Sequence, residues 1–425
     1  MSKKGYKSIP WLFGKEIEIP EEWEVVSLGS LCNTFTKQTG FDYTTHIKPK
    51  LVQTFKKGTI PFIQNKDFEG KTTNYDTDYF IPENIANIFT KILLNEKCLL
   101  ITISGNIGNV GIFSNEQNAF VGGAVAVAKF KNKNLLNWIM YYLLSSMGHK
   151  NFLRLTKTAS HQNLILDDLR KMKVLILPLP EQQKIATILS NVDNLIDSTS
   201  KIIKNSKSLK KSLMQKLLTR GIGHTKFKKV PWLFGKEIEI PEEWEFQKIR
   251  DCCNILDSQR IPINSEERRK IQGNIPYYGA NGIQGYVNDH IFDEEIILLA
   301  EDGGYFEEYK TRPIAQYIIE KSWVNNHAHV LNSKKNILLK WIFYSLVHKN
   351  ITRYINGSTR TKLNQSDLQQ ISILIPPLQE QQKIATILSN IDAQIDSQTQ
   401  YKEKLEKLKK SLMQKLLTGE VRVIA

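Results

Sequence analysis

The strongest constraint on this chain is an internal repeat. The eleven residues EQQKIATILSN occur at 181–191 and again at 380–390, and KKSLMQKLLT occurs at 210–219 and 409–418. Both pairs are displaced by 199 positions. A repeat of this length indicates that one structural plan occurs twice in the chain. Any fold for this sequence must therefore accommodate two equivalent long segments.

A second repeat marks the start of each copy. The fifteen residues PWLFGKEIEIPEEWE stand at 10–24 and at 231–245, displaced by 221 positions. Each copy thus contains this marker, a variable region and a long repeated segment, and the first variable region is 22 residues longer. The aromatic residues of the marker could either pack in the core or contact a partner. They are Trp11, Phe13, Trp23, Trp232, Phe234 and Trp244.

The variable regions combine strand and helix patterns. Apolar runs such as KCLLITI (97–103) and EIILLA (295–300) predict strands, whereas LLNWIMYYLLSS (135–146) and ILLKWIFYSLVH (337–348) predict amphipathic helices. Strands and helices without regular alternation indicate an α/β or α+β fold. We predict two similar domains, 1–180 and 220–376, with the long helices at 181–219 and 377–425.

Each long segment carries a heptad pattern of apolar residues. With Ile185 at position a, the predicted pairing residues of the first segment are Ile185, Ile188, Val192, Leu195, Ile202, Leu209 and Leu213. Those of the second segment are Ile384, Ile387, Ile391, Tyr401, Leu408 and Leu412. A single helix cannot bury such a stripe, so we predict that the two helices pair as a coiled coil. Chain direction favours an antiparallel, pseudo-twofold arrangement with one domain at each end. The polar residues Thr199 and Ser206 weaken the middle of the pattern.

The charge of the chain favours a polyanionic partner. The 425 residues include 58 basic and 43 acidic side chains, which give a formal net charge of +15. This balance suits nucleic acid or an anionic surface, although a lysine-rich proteome would equally account for it. Four cysteines without a CxxC pair indicate a reduced intracellular protein. Because no apolar run is long enough to span a bilayer, we expect a cytoplasmic location.

Sequence patterns for catalysis are weak. Gly70-Lys71-Thr72 resembles the end of a phosphate-binding loop, but Asn65 stands where that loop requires its first glycine. His327 and His329 could form a metal pair on one strand face, yet no third ligand is evident nearby. The chain has neither a GxSxG motif nor an Asn/Asp-Pro-Pro-aromatic tetrapeptide. We therefore predict a protein that is not an enzyme by itself and that holds no metal or cofactor.

Polar, basic and aromatic residues on predicted loops are candidates for contact with nucleic acid. Arg, Lys, Gln and Asn recognise base edges, and Ser, Thr and Lys suit phosphates. The candidates in the first region are Gln64, Asn65, Lys66, Lys157, Ser160, His161, Gln162 and Asn163. In the second region they are Tyr277, Tyr278, Asn281, Ser358, Arg360 and Lys362. The runs 157–163 and 357–362 align with each other but carry different side chains. Two domains that read different base sequences would require such a difference. Ordinary solvated loops would have the same composition.

Together these motifs resemble a known family. PLPEQQKIATIL, PPLQEQQKIATIL, SLMQKLLTGEVRV and the EEWE marker are similar to the specificity subunit of type I restriction–modification enzymes, as are IPYYGANGIQGYV and SGNIGNVGIF. The resemblance implies two target-recognition domains, each reading one half of an asymmetric, bipartite DNA site. It also implies conserved helices that act as a ruler between the domains. The run SHQN in the first domain departs from the pattern, because it lacks the basic pair Arg360 and Lys362.

The resemblance also implies a set of partners. These are double-stranded DNA, two methyltransferase (modification) subunits and restriction (translocase–nuclease) subunits. S-adenosylmethionine, ATP and magnesium would be bound by those partner subunits and not by this chain. Two other classes of function remain open on the sequence, namely a self-contained DNA-modifying enzyme and a coiled-coil transcriptional regulator.

Overall fold

The computed structural model of the protein describes residues 4–11, 15–155, 163–232, 235, 237–357 and 361–423. The chain forms two compact units, Met1–Thr199 with Tyr401–Ala425 and Ser200–Gln400. Each unit contains a domain of strands and short helices together with part of each long helix.

Within the described residues, the first unit contains fourteen strands and five short α-helices, and a long helix follows them in the chain. The strands are β1 (Tyr6–Pro10), β2 (Glu16–Pro20), β3 (Glu24–Ser27), β4 (Cys32–Thr36), β5 (Thr59–Ile63), β6 (Phe68–Glu69), β7 (Thr72–Thr73), β8 (Phe80–Pro82), β9 (Leu93–Leu94), β10 (Cys98–Thr102), β11 (Val110–Phe113), β12 (Ala119–Val121), β13 (Val125–Phe130) and β14 (Lys173–Ile176). The helices are α1 (Tyr43–His46), α2 (Glu83–Ala86), α3 (Leu136–Leu144), α4 (Ser146–Leu155), α5 (Leu166–Arg170) and the long α6 (Leu179–Arg220).

The second unit follows a similar order. Its strands are β15 (Phe227–Pro231), β16 (Glu237–Pro241), β17 (Glu245–Lys248), β18 (Cys253–Ile255), β19 (Ile275–Gly279), β20 (Gly282–Val287), β21 (Ile296–Ala300), β22 (Ala315–Ile318), β23 (Trp323–Val324), β24 (Ala328–Ser333), β25 (Ile355–Asn356), β26 (Lys362–Leu363) and β27 (Ser372–Ile375). Its helices are α7 (Ile249–Cys252), α8 (Ser265–Lys270), α9 (Leu339–Leu346), α10 (Gln365–Leu368) and the long α11 (Leu378–Leu416), which continues into the first unit.

Each unit contains an antiparallel four-stranded sheet, and the two sheets have equivalent strand orders. The order is β11-β10-β13-β4 in the first unit and β22-β21-β24-β18 in the second. A second sheet, four-stranded in the first unit and three-stranded in the second, contains one parallel pair, β5 with β12 or β19 with β23. The strands and the helices packed on them confirm the predicted α+β fold.

The continuous apolar runs mark strands that are buried on both faces. In β10, Leu99 and Ile101 face one core, whereas Cys98 and Leu100 face a second core. Alternate side chains of a strand point to opposite faces, so a strand between two cores must be apolar throughout. β21 is buried in the same way, with Ile297 and Leu299 in one core and Ile296 and Leu298 in the other.

The two long helices pack together, and within each unit they run in opposite directions. In the first unit Ile185 and Leu189 share a core with Leu416, and Asp193, further along α6, pairs with Lys409 at 2.6 Å. Residue numbers thus rise on one helix as they fall on the other. In the second unit Ile384 and Leu388 share a core with Leu217, and Asp392 pairs with Lys210 at 2.5 Å. The antiparallel direction predicted from the chain order is present in both units.

The contact seam of the helices differs from the predicted one. The predicted d residues Leu195, Ile202, Leu209, Ile387, Tyr401 and Leu408 are exposed, and Ile188 is half-buried. The predicted a residues Ile185, Val192, Leu213, Ile384, Ile391 and Leu412 are buried or half-buried. Their seam is completed by the neighbouring e residues, such as Leu189, Leu388, Ile395 and Leu416. The prediction is therefore corrected from an a/d seam to an a/e seam, which also repeats every seven residues.

A glutamate at the start of each long helix, buried in the first (Glu181) and half-buried in the second (Glu380), joins three parts of the chain. Glu181 accepts hydrogen bonds from Trp23 Nε1 (3.2 Å) and from Arg422 Nε (2.7 Å). Glu380 accepts the equivalent bond from Trp244 Nε1 (2.9 Å) and lies 2.9 Å from His224 Nε2. Trp23 and Trp244 are fully buried, so the markers contribute to the cores. Their neighbours Trp11 and Trp232 pack partly against the same cores, whereas Phe13 and Phe234 lie outside the described residues.

Candidate nucleic-acid interface

Three stretches of the second unit meet where the chain enters β26, and together they form what we call the second frame. The Leu363 amide donates to the Glu301 carbonyl (2.7 Å), and the Gly303 amide donates to the Thr361 carbonyl (3.2 Å). The Asn281 side chain, from the turn between β19 and β20, donates to the Gly303 carbonyl (2.8 Å). These bonds hold three separate stretches of chain together, and Asn281 and Lys362 are both exposed there.

The first unit has the same frame. The Leu164 amide donates to the Ile103 carbonyl (2.9 Å), and Ser104 forms an isolated bridge with Asn163, as Asp302 does with Lys362. The loop after β5 joins this frame because the Asn109 side chain donates to the Asn65 carbonyl (3.2 Å). The backbone frame is therefore repeated, whereas the side chains on it differ between the two units.

The second frame rests on a network of charged side chains. Lys362 Nζ lies 3.1 Å from Glu301 Oε1, and the other oxygen of Glu301 accepts from Arg260 (2.7 Å). Arg260 also pairs with Asp257 (3.5 Å). The buried His329 has its Nδ1 2.6 Å from Asp257 and its Nε2 2.8 Å from the Leu363 carbonyl. The network thus connects an exposed lysine to the interior of the sheet.

The electrostatics of this network follow from its pairing. Burial alone would raise the pKa of Asp257, but the hydrogen bond with His329, the nearby charges and the Val330 amide together lower it below its usual value. Asp257 is therefore held as a carboxylate. In the first unit the position of Glu301 is taken by Ile103, and that of His329 by Ala126, and both are buried. The first frame is consequently supported by apolar packing and the second by charge.

The two histidines considered as a metal pair serve different carboxylates. His327 Nδ1 lies 2.7 Å from Asp302, whereas His329 is bound to Asp257. Ligand atoms of Asp257, Glu301 and His329 do come within 4.8 Å of one another. However, Arg260 already supplies the positive charge between the two carboxylates, and a divalent ion would have to displace it. These contacts do not assign a metal to the cluster.

The other predicted contact residues have varied surroundings. Gln64 and Asn65 are half-buried, whereas Lys66 and Asn163 are exposed, and Lys66 forms an ion pair with Asp78. The residues that lie outside the described part of the chain are Lys157, Ser160, His161, Gln162, Ser358 and Arg360.

Tyr277 and Tyr278 are a correction, because both are buried. They lie in β19, which has β20 on one side and the parallel β23 on the other. The Tyr278 hydroxyl donates to Glu320 (2.5 Å), and Tyr277 is bonded to the backbone of Ile263. They position the turn that carries Asn281 and do not lie at the surface themselves.

The supporting residues Asp257, Arg260 and Glu301 were missed by the sequence prediction, which considered His329 only as one of a possible metal pair. The only sequence signal for them is the alignment of EDGG (301–304) with ISGN (103–106), once Leu363 is matched to Leu164.

No helix in the described part of the chain is long and apolar enough to cross a membrane.

The fold and these surfaces define a class of protein: a chain with two equivalent recognition frames on repeated domains, joined through long helices. The family model of the type I restriction modification DNA specificity domain matches residues 20–206 and 241–407. The chain belongs to this family, and its two repeated domains are target-recognition domains. Proteins of this kind are the DNA-recognition components of restriction–modification complexes and not their catalysts.

Named relatives agree with this assignment. The chain is 39% identical to the specificity subunit S.HindORF215P of Haemophilus influenzae over 152 residues, which cover 36% of this chain and 38% of that protein. It is 27% identical to the MjaVIII specificity subunit of Methanocaldococcus jannaschii, with 96% of this chain and 95% of that protein covered.

Solved structures share the fold. The crystal structure of the S subunit of a type I restriction–modification system from M. genitalium matches with a TM-score of 0.62 at 16% identity, covering 93% of this chain and 96% of that one. A chain from a structure describing complex assembly of the type I system matches with a TM-score of 0.51 at 13% identity, covering 95% and 99%.

Proposed function

We propose that this chain reads an asymmetric, bipartite DNA target, with one domain for each half-site. The observation that carries this proposal is the repeated backbone frame with different side chains on it. Asn163 and Ser104 stand where the second frame has Lys362 and Asp302. Two equal scaffolds that present different hydrogen-bonding groups suit two different base sequences. The net charge of +15 supports contact with DNA phosphates as well.

Single substitutions on the two frames test this proposal. The target is first identified by methylation profiling of the source genome, and binding is then measured on duplexes with changes in one half-site at a time. Lys362→Ala should cost about 1–3 kcal/mol and relax discrimination in one half-site only, as expected for a base contact. Asn163→Ala is the matched variant in the first domain and should affect the other half-site. Equal weakening at every sequence by both variants would contradict one-domain-per-half-site reading.

We also propose that the chain scaffolds two modification subunits and the restriction subunits. The exposed residues Leu195 on α6 and Leu408 on α11 support this, because apolar helix positions left open to water suit a partner helix. Leu195→Ser and Leu408→Ser should leave the melting temperature of the chain nearly unchanged but reduce recovery of modification subunits in a pull-down. Glu403→Ser is the control, because Glu403 is an exposed polar residue of α11. Undiminished recovery with both leucine variants would rule out this docking face.

The long helices would set the gap between the half-sites. α6 runs from the first recognition domain to the second along the chain, and α11 carries the same repeat. Deleting one heptad from each helix should shorten the gap in the target and leave both half-site sequences unchanged. A gap of unaltered length in methylation profiling would show that another part of the complex measures it.

The cofactors belong to the partners in this proposal. S-adenosylmethionine, ATP and magnesium would act on the modification and restriction subunits, and the complex would work in the cytoplasm, where the target DNA lies. Incubation of the purified chain with target DNA and labelled S-adenosylmethionine should give methylated DNA only after modification subunits are added. Methyl transfer by the chain alone would contradict the assignment.

A further inference from the structure

The second unit contains a large cavity that is separate from the recognition frame. Its volume is about 830 Å³, which is within the usual range of small-molecule sites. Met214 and Leu218 of α6 and Leu374 of β27 contribute apolar walls, and Trp232 and Tyr309 contribute aromatic ones. The cavity can therefore enclose a flat, partly apolar group.

The charge around this cavity is strongly positive. Lys207, Lys211, Lys310 and Lys349 line it, together with Lys210, whose charge is balanced by Asp392. Within the part of the chain that the structure describes, no carboxylate lies within 4.0 Å of the first four lysines. Lys207 and Lys211 are one turn apart on the same face of α6. Several lysine side chains without a carboxylate partner, beside an apolar wall, favour an anionic ligand.

Lys349 is the most unusual of these lysines. Its Nζ lies 4.2 Å from the centre of the Trp232 ring, and the side chain is only partly open to solvent. Burial lowers the pKa of Lys349 from its ordinary value to about 7. The cost of burying an unpaired ammonium is relieved when an anion binds beside it. Lys349 is therefore the lysine that gains most from a ligand.

The first unit provides an internal comparison. The triplet His-Lys-Asn occurs at 149–151 and at 348–350, so Lys150 is the sequence equivalent of Lys349. Lys150 lies in the middle of α4 and is exposed, whereas α9 ends at Leu346 and Lys349 lies just after it. The hairpin of β6 and β7 also places Lys71 5.8 Å over the ring of Tyr141, the counterpart of Tyr344 in the cavity wall. The local surroundings, not the triplet, create the site in the second unit.

We propose that this cavity binds a nucleoside phosphate, with its phosphates at Lys207, Lys211 and Lys349 and its base against the aromatic wall. A bare phosphate would satisfy the lysines but would leave the apolar walls uncovered. A DNA duplex is too wide to enter a concavity of this volume. The proposal does not depend on how the recognition frames read DNA, because none of their residues lines the cavity.

Isothermal titration of the full-length chain with ATP tests the assignment, with inorganic triphosphate and adenosine as partial ligands. ATP should bind at least tenfold more tightly than either partial ligand. Lys349→Met should weaken ATP binding at least tenfold, and Lys349→Arg should retain most of it. Lys150→Met is the matched control and should change the affinity less than twofold. Lys211→Met, on the helix surface, gives a second reading if Lys349→Met does not fold, and it should weaken ATP binding at least threefold.

Several results would overturn the proposal. Equal affinity for triphosphate and ATP would make the site a simple anion site. If none of the lysine variants changes the affinity for ATP, then ATP binds elsewhere on the chain. If ATP does not bind at all, the cavity is not a nucleotide site. Displacement of ATP by a duplex oligonucleotide, with the same loss in Lys349→Met, would show that the cavity belongs to the DNA-binding surface.

Discussion

Substituting Arg422 tests whether the segment after α11 stabilises the first unit. Arg422 Nε lies 2.7 Å from Glu181 Oε1, and its Nη2 lies 2.9 Å from Oε2, so the pair is bidentate. The Glu181 side chain is only 5% exposed. In Arg422→Ala the carboxylate would stay buried with two weaker donors, Trp23 Nε1 at 3.2 Å and the Val423 amide at 3.4 Å.

The size of the effect follows from the burial of Glu181. Removing one partner of a buried ion pair costs about 3–5 kcal/mol, because the other charge remains uncompensated. The two remaining donors favour the lower end, so we expect a loss of about 3 kcal/mol in the free energy of unfolding. In a unit of about 220 residues, each kcal/mol lowers the melting temperature by about 2–4 °C, which gives about 6–12 °C.

Calorimetry of the intact chain measures this loss. Glu22→Ala is the control, because Glu22 is the second and exposed partner of Arg422, and a surface pair is worth about 0–1 kcal/mol. His224→Ala removes the corresponding partner of Glu380 and should lower the stability of the second unit. If Arg422→Ala lowers the melting temperature no more than Glu22→Ala does, the buried pair does not stabilise the unit as argued.

Three further predictions concern packing and charge. In chemical denaturation, Gly419→Ala should lower the free energy of unfolding more than Gly223→Ala does. Both glycines have positive φ, but a Cβ at 419 would lie 2.7 Å from Pro20 Cδ, whereas a Cβ at 223 would meet nothing within 4 Å. Equal losses in the two variants would exclude crowding by Pro20 as the cause. Trp341→Phe should cost about 1–3 kcal/mol by leaving the buried Leu374 carbonyl without its donor, and the same loss is expected for Trp138→Phe at Leu175. Between about pH 7 and the ordinary lysine range, the unfolded chain holds a proton on Lys349 that the folded chain lacks. The free energy of unfolding should thus rise with pH there, and Lys349→Met should remove part of that rise; an identical pH dependence in the variant would contradict the burial of this ammonium.

The repeat made the helix pairing predictable from the sequence. Residues at equivalent positions of two copies meet equivalent partners, so a contact in one unit implies its counterpart in the other. Asp193 and Lys409 in the first unit correspond to Asp392 and Lys210 in the second. The tyrosines Tyr141 and Tyr344 donate to the same two aspartates, at 2.6 Å and 2.8 Å. The apolar strands were predictable for a similar reason, since burial on both faces requires an apolar residue at every position.

The helix seam was not predictable, because the long helices carry three apolar stripes and only two of them meet a partner in this chain. The polar Thr199 weakened the middle of the predicted heptad pattern, yet it is buried. Its hydroxyl donates to the Leu195 carbonyl (2.7 Å), one turn earlier in the same helix. A threonine whose hydroxyl is satisfied within its own helix can be buried at little cost, and sequence alone does not show that bond.

The network beneath Lys362 could not be found in the sequence either. Its members come from separate stretches: Asp257 and Arg260 lie before α8, Glu301 follows β21, and His329 lies within β24. The pairing of β24 with both β18 and β21, and the bridge between Asp302 and Lys362, bring them together. Long-range strand pairing of this kind leaves no local pattern, whereas the exposed Asn281 and Lys362 were recognised from their polar character on loops.

The two recognition frames show how one scaffold can hold different chemistry. The bond that joins the two aligned stretches of each frame runs between backbone atoms, namely the Leu164 amide with the Ile103 carbonyl and the Leu363 amide with the Glu301 carbonyl. Replacing a side chain does not remove such a bond, so Ile103 and Glu301 can occupy equivalent positions without loss of the frame. The glutamate clusters follow the opposite rule, because Glu181 and Glu380 bind through side chains and each therefore requires a donor, Arg422 or His224. Recognition chemistry is thus free to differ between the domains, whereas the junction of each long helix with its domain keeps the same glutamate and tryptophan pair.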